Sequence, residues 1–219
     1  MNAQRYIVEI RYLPDPSFLD KRGSIAKQIT SEEFKDWLIL ENTIELRNDS
    51  GKMFITYERV GFSTTDTDLE KYINKLEQIL KILGDLPPVR WGVRAYLVSP
   101  SKKQFSNLLN QYQGKYLKVN EQFSALGGEL KDVGVSYVFE KDHNSYHLTI
   151  GPMNDEQATL LFPKQKIGKS NNFLDIDIYR ENDQFYGADY RASRIIDFVK
   201  AEIIEIQNIS KELFESINE

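Results

Sequence analysis

The amino-acid sequence predicts an α+β protein built on antiparallel sheet, and three observations carry that prediction. Two pairs of β-rich runs flank turn residues, and three more stretches alternate apolar with other residues, as strands with one buried face do. Two long segments hold apolar residues at helical spacing. These helices do not alternate one for one with the strands, which disfavours a doubly wound parallel sheet. The expected architecture is two related halves, residues 1–100 and 101–219, each an antiparallel sheet with a hairpin and a long amphipathic helix packed on one side. No Pro/Ser/Gly-rich linker separates the halves, so they are expected to share an interface.

In chain order, residues 6–13 read as a strand: Tyr6, Val8, Ile10 and Tyr12 alternate with Ile7, Glu9, Arg11 and Leu13, and Pro14 and Pro16 end it. Residues 42–60 read as a hairpin about the turn Asn48-Asp49-Ser50-Gly51. The first long helix follows, with Thr67 and Glu70 spaced as a capping box, Leu69, Tyr72, Ile73, Leu76, Ile79, Leu80 and Leu83 on one face, and Gly84 as its C-terminal stop. Pro87 and Pro88 prevent its continuation. Residues 89–98 form the next strand, with Val89, Trp91, Val93, Ala95 and Leu97 on one side.

The second half is expected to open with a short helix over 102–112. A second hairpin joins 133–139 to 146–150 about Asp142-His143-Asn144, and 173–179 is another strand. A closing helix over about 188–217 carries Ile195, Val199, Ile203, Ile206, Leu213 and Ile217 on its apolar stripe, with Glu202, Glu205, Glu212 and Glu215 largely off it. The charges at Asp197, Lys200, Glu202 and Glu205 mark it as amphipathic and not as a membrane span.

Composition narrows the function classes. The chain has 219 residues, 28 Lys plus Arg and 33 Asp plus Glu, for a net charge of −5, which argues against bulk electrostatic binding of nucleic acid or anionic membrane. With no cysteine there are no disulfides, thiolate metal sites or cysteine nucleophiles. The segment Met1-Asn2-Ala3-Gln4-Arg5-Tyr6 lacks the apolar run of a signal peptide, and the expected location is the cytoplasm.

The order of these features, with Val89-Arg90-Trp91-Gly92-Val93-Arg94-Ala95-Tyr96 and Leu174-Asp175-Ile176-Asp177-Ile178-Tyr179 as strand motifs, resembles that of sporadically distributed bacterial proteins grouped as a TIGR family of unknown function. In that family the first motif usually reads Arg, apolar, Gly, apolar, Arg, aromatic; this chain places Ala95 before Tyr96. The resemblance spans most of the chain and implies a bacterial origin and a similar fold. It supplies no activity and no catalytic residue.

The residues themselves offer several candidate chemistries. Asp175 and Asp177 lie two apart on a strand, roughly 6.5 to 7 Å from each other on one face, a spacing at which two carboxylates share a divalent cation. The alternative is that Leu174, Ile176 and Ile178 enter the core while both Asp residues face water or the cations Arg90 and Arg94 on a neighbouring strand. His147-Leu148-Thr149-Ile150 reproduces the His-x-Thr-apolar tetrad of two-histidine phosphoesterases, yet the second histidine, His143, lies four residues away in the same hairpin and cannot occupy an opposite lobe. Gly168-Lys169-Ser170 imitates the end of a phosphate loop, but Pro163 stands where its first glycine belongs and a strand follows in place of a helix.

Most of the aromatic residues fall on periodic apolar faces, as Phe54, Tyr72 and Phe198 do. Phe185, Tyr186 and Tyr190, between a strand and the closing helix, are the candidate partner-binding loop, with a hydrophobic staple as the structural alternative. The reading is a non-enzymatic bacterial interaction protein, an accessory, regulatory or immunity-type subunit with another protein as partner and no cofactor. The alternative is a metal-dependent enzyme or binding protein for a nucleotide or phosphate-containing ligand, using Asp175, Asp177, Arg90, Arg94 and His147.

Overall fold

The structure, a computed structural model, describes residues 3–84, 87–116, 131–163, 165, 167–181 and 191–218. Its strands are β1 (Ala3–Tyr12), β2 (Asp36–Ile39), β3 (Thr43–Asn48), β4 (Gly51–Thr56), β5 (Arg59–Thr64), β6 (Pro88–Pro100), β7 (Val135–Lys141), β8 (Asn144–Asn154) and β9 (Ser170–Glu181). Its helices are α1 (Ser17–Ile29), α2 (Glu70–Leu83), α3 (Phe105–Tyr116), α4 (Asp155–Leu161) and α5 (Ala192–Asn218). The α+β class is as the sequence predicts.

All nine strands belong to one antiparallel sheet in the order β2-β3-β4-β5-β1-β6-β9-β8-β7. This corrects the expectation of a separate sheet in each half. Alternation within a strand fixes which residues face the core but not which strand lies alongside, and here β1 and β6 pair along nearly their whole lengths. β6, which ends at the expected boundary near residue 100, pairs on one side with β1 and on the other with β9.

The register aligns the core in rows across the sheet. One row runs Leu46, Met53, Phe62, Val8, Val93, Ile178 and Tyr146, and every member is buried. Helices cover this face: α1 lies against β2 and β3, α2 against β5, α5 against β6 and β9, and α3 against β8 and β9. Tyr72 of α2 is fully buried between Phe34 and Phe62, its ring centroid 5.4 Å from each, and its hydroxyl donates to Asn48 Oδ1 in the β3–β4 turn at 2.7 Å. Burial of such a side chain contributes roughly 1.5 to 3 kcal/mol. Lys75, also buried on α2, donates from Nζ to the Ile29 carbonyl at the end of α1 at 3.0 Å, and burial pushes its pKa down.

The opposite face carries no large helix among the described residues. Only the short α4 packs there, closing a second small core of Ala3, Val98, Met153, Ala158 and Phe162 at one end of the sheet. No helix among the described residues is long and apolar enough to cross a membrane.

Several local expectations change. The Thr67–Glu70 capping box does not form: α2 starts at Glu70, whose N–H donates to the Asp68 carboxylate at 3.2 Å. Gly84 stops α2 with a φ of +79°, a conformation that favours glycine. The second hairpin turns through Asp142 and His143 at φ 51° and 64°, as a two-residue primed turn requires. A capping box does occur at α4, between Asn154 and Gln157. Helices α1 and α4 and strands β2 and β5 are elements the sequence pattern does not predict, and Val60, the last residue of the predicted first hairpin, lies inside β5.

Glu202 belongs to the apolar face of α5, not to its solvated side. It is buried and accepts from Asn144 Nδ2 at 2.7 Å, and its Oε2 has no hydrogen-bond partner. Burial pushes its carboxyl above the usual carboxylate range, against the pull of Asn144 and Arg180.

Two tests follow from this packing. A Cβ at Gly61 would lie 1.9 Å from the Val8 carbonyl oxygen and 2.9 Å from Phe54, so Gly61→Ala is expected to cost about 1 to 3 kcal/mol and lower the melting temperature by several degrees. The raised Glu202 carboxyl favours the protonated fold, so its contribution is present below the ordinary Glu pKa and lost as pH rises through the folded value. Urea unfolding from pH 4 to pH 8 is therefore expected to show Glu202→Gln gaining stability relative to wild type as pH rises.

Candidate functional site

The face opposite α1, α2, α3 and α5 holds the polar residues that alternate with the core. Along β1 these are Arg5, Glu9 and Arg11; on β5, Arg59 and Ser63; on β6, Arg90, Arg94 and Tyr96; on β9, Asp175, Asp177 and Tyr179; on β8, His147 and Thr149. The sequence-predicted residues Asp175, Asp177, Arg90, Arg94 and His147 therefore stand together on three adjacent strands. The other predicted set, Phe185, Tyr186 and Tyr190, lies outside the described residues.

Within the cluster, cations and carboxylates interlock. Arg94 stands directly across from Asp177, yet its guanidinium reaches along β9 to grip Asp175, Nε to Oδ1 at 2.8 Å and a terminal nitrogen to Oδ2 at 2.6 Å. Arg90 donates to Asp177 at 3.2 Å and lies 4.2 Å over the Tyr179 ring. The bond from Asp175 drives the Arg94 pKa up. Burial pushes the Asp177 carboxyl above its ordinary range even though Arg90 and Arg94 oppose that shift. The Tyr179 hydroxyl and His147 Nε2 are 3.2 Å apart, with the imidazole exposed to solvent.

The cluster extends further than the sequence indicated. Arg11 stands directly opposite both Arg59 and Arg90, so three cations share one row across β5, β1 and β6. Like charges in that relation are destabilising. Glu9 offsets them by accepting from Arg11 at 2.5 Å and from Arg59 at 3.1 Å. Glu9 itself lies between Gly61 and Gly92, neither of which has a side chain to crowd it. A hollow of about 210 Å³ opens here, bounded by Glu9, Arg11, Arg90, Arg94 and Asp177. The alternation along β1 already put Glu9 and Arg11 on the polar side; Arg59 had no place until β5 was seen as a strand.

This arrangement bears directly on the metal reading. Each carboxylate of the Asp175–Asp177 pair is engaged by an arginine, as the alternative to a shared cation requires. Among the described residues, no group of three or more His, Cys, Asp or Glu side chains is placed to hold a metal ion. Gly168 and Ser170 likewise lead into β9 and not into a helix. No protein-family model matches the chain, and no curated protein matches it.

Because 42% of the Arg94 side chain remains exposed, solvent screens the Arg94–Asp175 pair. A double-mutant cycle of Arg94→Ala with Asp175→Ala, read by urea unfolding, is expected to give a coupling of about 0.5 to 1 kcal/mol, reduced at high salt. Simple additivity would mean that the bidentate pair makes no net contribution.

Proposed function

We propose that the chain is a non-enzymatic protein-interaction module, an accessory, regulatory or immunity-type subunit of a bacterial cytoplasm. The observation that carries this reading is the state of the sheet's two edges. Among the described residues no strand pairs with the outer side of β2 or of β7. Both edges nonetheless display large apolar side chains: Trp37, Leu38, Ile39 and Leu40 on one, Tyr137, Val138 and Phe139 on the other, with Trp37 53% and Val138 69% exposed. Natural edge strands are normally blunted by charge, proline or a bulge, whereas an edge kept apolar and open accepts an added strand from a partner. β7 is the longer of the two, with seven residues, and its Phe139 already stacks on Tyr146 at 4.8 Å, so an incoming strand meets a rigid aromatic surface.

The alternative, a nucleotide- or phosphate-binding protein using Asp175 and Asp177 with metal or Arg90, Arg94 and His147 as an anion pocket, has less support at that place. Its acids and arginines already neutralise one another.

We also infer that the chain holds two internal copies, divided ahead of β6 and not near residue 100 as the sequence pattern predicts, the first running from β1 to α2 and the second from β6 to α5. What supports this is the register. An offset of 85 residues carries β1 onto β6, 93 carries both β3 and β4 onto β7 and β8, and 116 carries β5 onto β9, and these offsets reproduce the pairings of one half in the other. The pair Val8 and Val93 maps onto itself under these offsets, which supports a pseudo-twofold passing between those two residues. Helices α1 and α3 follow the first strand of each half, and α2 and α5 follow the last.

The test is native mass spectrometry of the tagged protein recovered from its source cells, alongside Val138→Lys and Leu38→Lys variants. A stoichiometric protein partner is expected, lost with a lysine on one edge and kept with a lysine on the other. A bare chain, or a partner indifferent to both substitutions, overturns the edge reading.

A further inference from the structure

The face that carries the arginine cluster has a second depression near the first hairpin, and its chemistry differs from that of the first. Its volume is about 270 Å³. Among the described residues three cations line it, Arg5, Arg47 and Lys52, together with the Ser63 hydroxyl, and Phe162 and Pro163 at the end of α4 form an apolar wall. The register explains the convergence. Arg47 lies directly opposite Lys52, Lys52 directly opposite Ser63, and Arg5 sits one alternation along β1 from Ile7, the partner of Ser63. Arg5 Nε donates to Ser63 Oγ at 3.1 Å, which fixes the guanidinium over the depression.

Pairing separates Arg5 from the arginines of the central hollow. Arg90 and Arg94 each hold an aspartate carboxylate, and Arg11 and Arg59 share that of Glu9. Arg5 has none among the described residues, and Ser63 Oγ is its only hydrogen-bond partner there. Arg47 and Lys52 share a single carboxylate, Glu45, with Lys52 at 2.7 Å. Burial alone would raise the Glu45 carboxyl, but these two cations hold it below its ordinary value, so it stays ionised at neutral pH. Asp49 also stands in the wall, and among the described residues Arg5 is the cation of the three that no carboxylate holds. Like charges placed opposite each other, as at Arg47 and Lys52, run against cross-strand pairing preferences, and proteins break such local rules chiefly at functional sites.

We propose that this depression binds a phosphate monoester: the phosphate dianion on Arg5, Lys52 and the Ser63 hydroxyl, and a small ring carried by the ester against Phe162 and Pro163. Arg5 supplies the planar fork that suits phosphate oxygens, and Lys52 supplies a mobile point charge. A few convergent polar groups set against an apolar wall is the usual composition of a small-molecule site, and the cavity is too large for phosphate alone. The proposal is independent of the edge-strand reading, since none of its residues lies on β2 or β7.

The experiment is a nuclear magnetic resonance titration of the full chain with inorganic phosphate and with phenyl phosphate at constant ionic strength. The expected result is saturable shifts of the Arg5 Nε–H and the Gly51 and Ser63 amides, with phenyl phosphate binding at least tenfold more tightly than phosphate. Arg5→Ala is expected to weaken phenyl phosphate binding at least tenfold and Lys52→Met severalfold, while Arg94→Ala, in the central cluster, leaves it unchanged. Shifts that do not saturate, equal affinity for the two probes, or unaltered binding in the variants would overturn the proposal. Lys52 is 44% exposed on the side chain, so the Lys52→Met variant decides the matter should Arg5→Ala fail to fold.

Discussion

The antiparallel pairing of β1 with β6 is the constraint on which the remaining architecture depends. These strands lie at the middle of the sheet, and their register sets Val8 against Val93 and Ile10 against Trp91 on the helix-covered side. The same register sets Glu9 against Gly92 and Arg11 against Arg90 on the other side. Because side chains alternate strictly, one choice of register fixes both the row of buried apolar residues and the row of arginines. A slip by one residue would exchange the two faces, burying guanidinium groups under α2 and α5. The hydrophobic core and the polar cluster are thus two sides of a single pairing decision.

Electrostatics on the polar face are local and not global. The chain carries a net charge of −5, yet its central strands concentrate arginine, and their carboxylate partners come mostly from the same sheet: Glu9 from β1 itself, Asp175 and Asp177 from β9. The arginines are held by diagonal contacts and by the Tyr96 and Tyr179 rings, at 4.9 and 4.2 Å, so much of the face is a closed network. Near the first hairpin, Arg5 stands outside that network, with no carboxylate partner among the described residues. Net charge, a sum over the whole surface, reports nothing about such a corner.

Periodicity made the strands at the centre of the sheet legible, since Tyr6, Val8, Ile10 and Tyr12 on β1 and Trp91, Val93, Ala95 and Leu97 on β6 alternate cleanly. It also brought Arg90, Arg94, Asp175 and Asp177 to adjacent strands, where the structure pairs them. It failed where the signal was weak or shared. Helix α1 contains Gly23 and a polar surface around only four buried residues, Phe18, Ile25, Ala26 and Ile29. Strand β2 has no buried residue, so alternation left no trace. Most of β5 is buried on both faces, Val60 through Thr64, and its sequence lacks the polar alternation that defines a strand. Missing β5 hid Arg59 and Ser63, and with them the corner pocket. Glu202 was misplaced for a related reason: its partner Asn144 comes from another hairpin, a tertiary contact that no helical pattern contains.

The placement of β1 at the centre has a consequence for synthesis on the ribosome. Its second neighbour, β6, lies about 85 residues further along the chain. Until β6 emerges, the strands that can already pair, β3, β4 and β5, cover only one side of β1. The apolar and uninterrupted β1 is then itself an open edge, of the kind that recruits other chains. At the translation rates of living cells that window lasts roughly 4 to 17 seconds. The alternating charges Arg5, Glu9 and Arg11, which lie on the finished protein's polar face, are carried along that temporary edge as well, and they act as gatekeepers against mispairing before they serve the folded sheet.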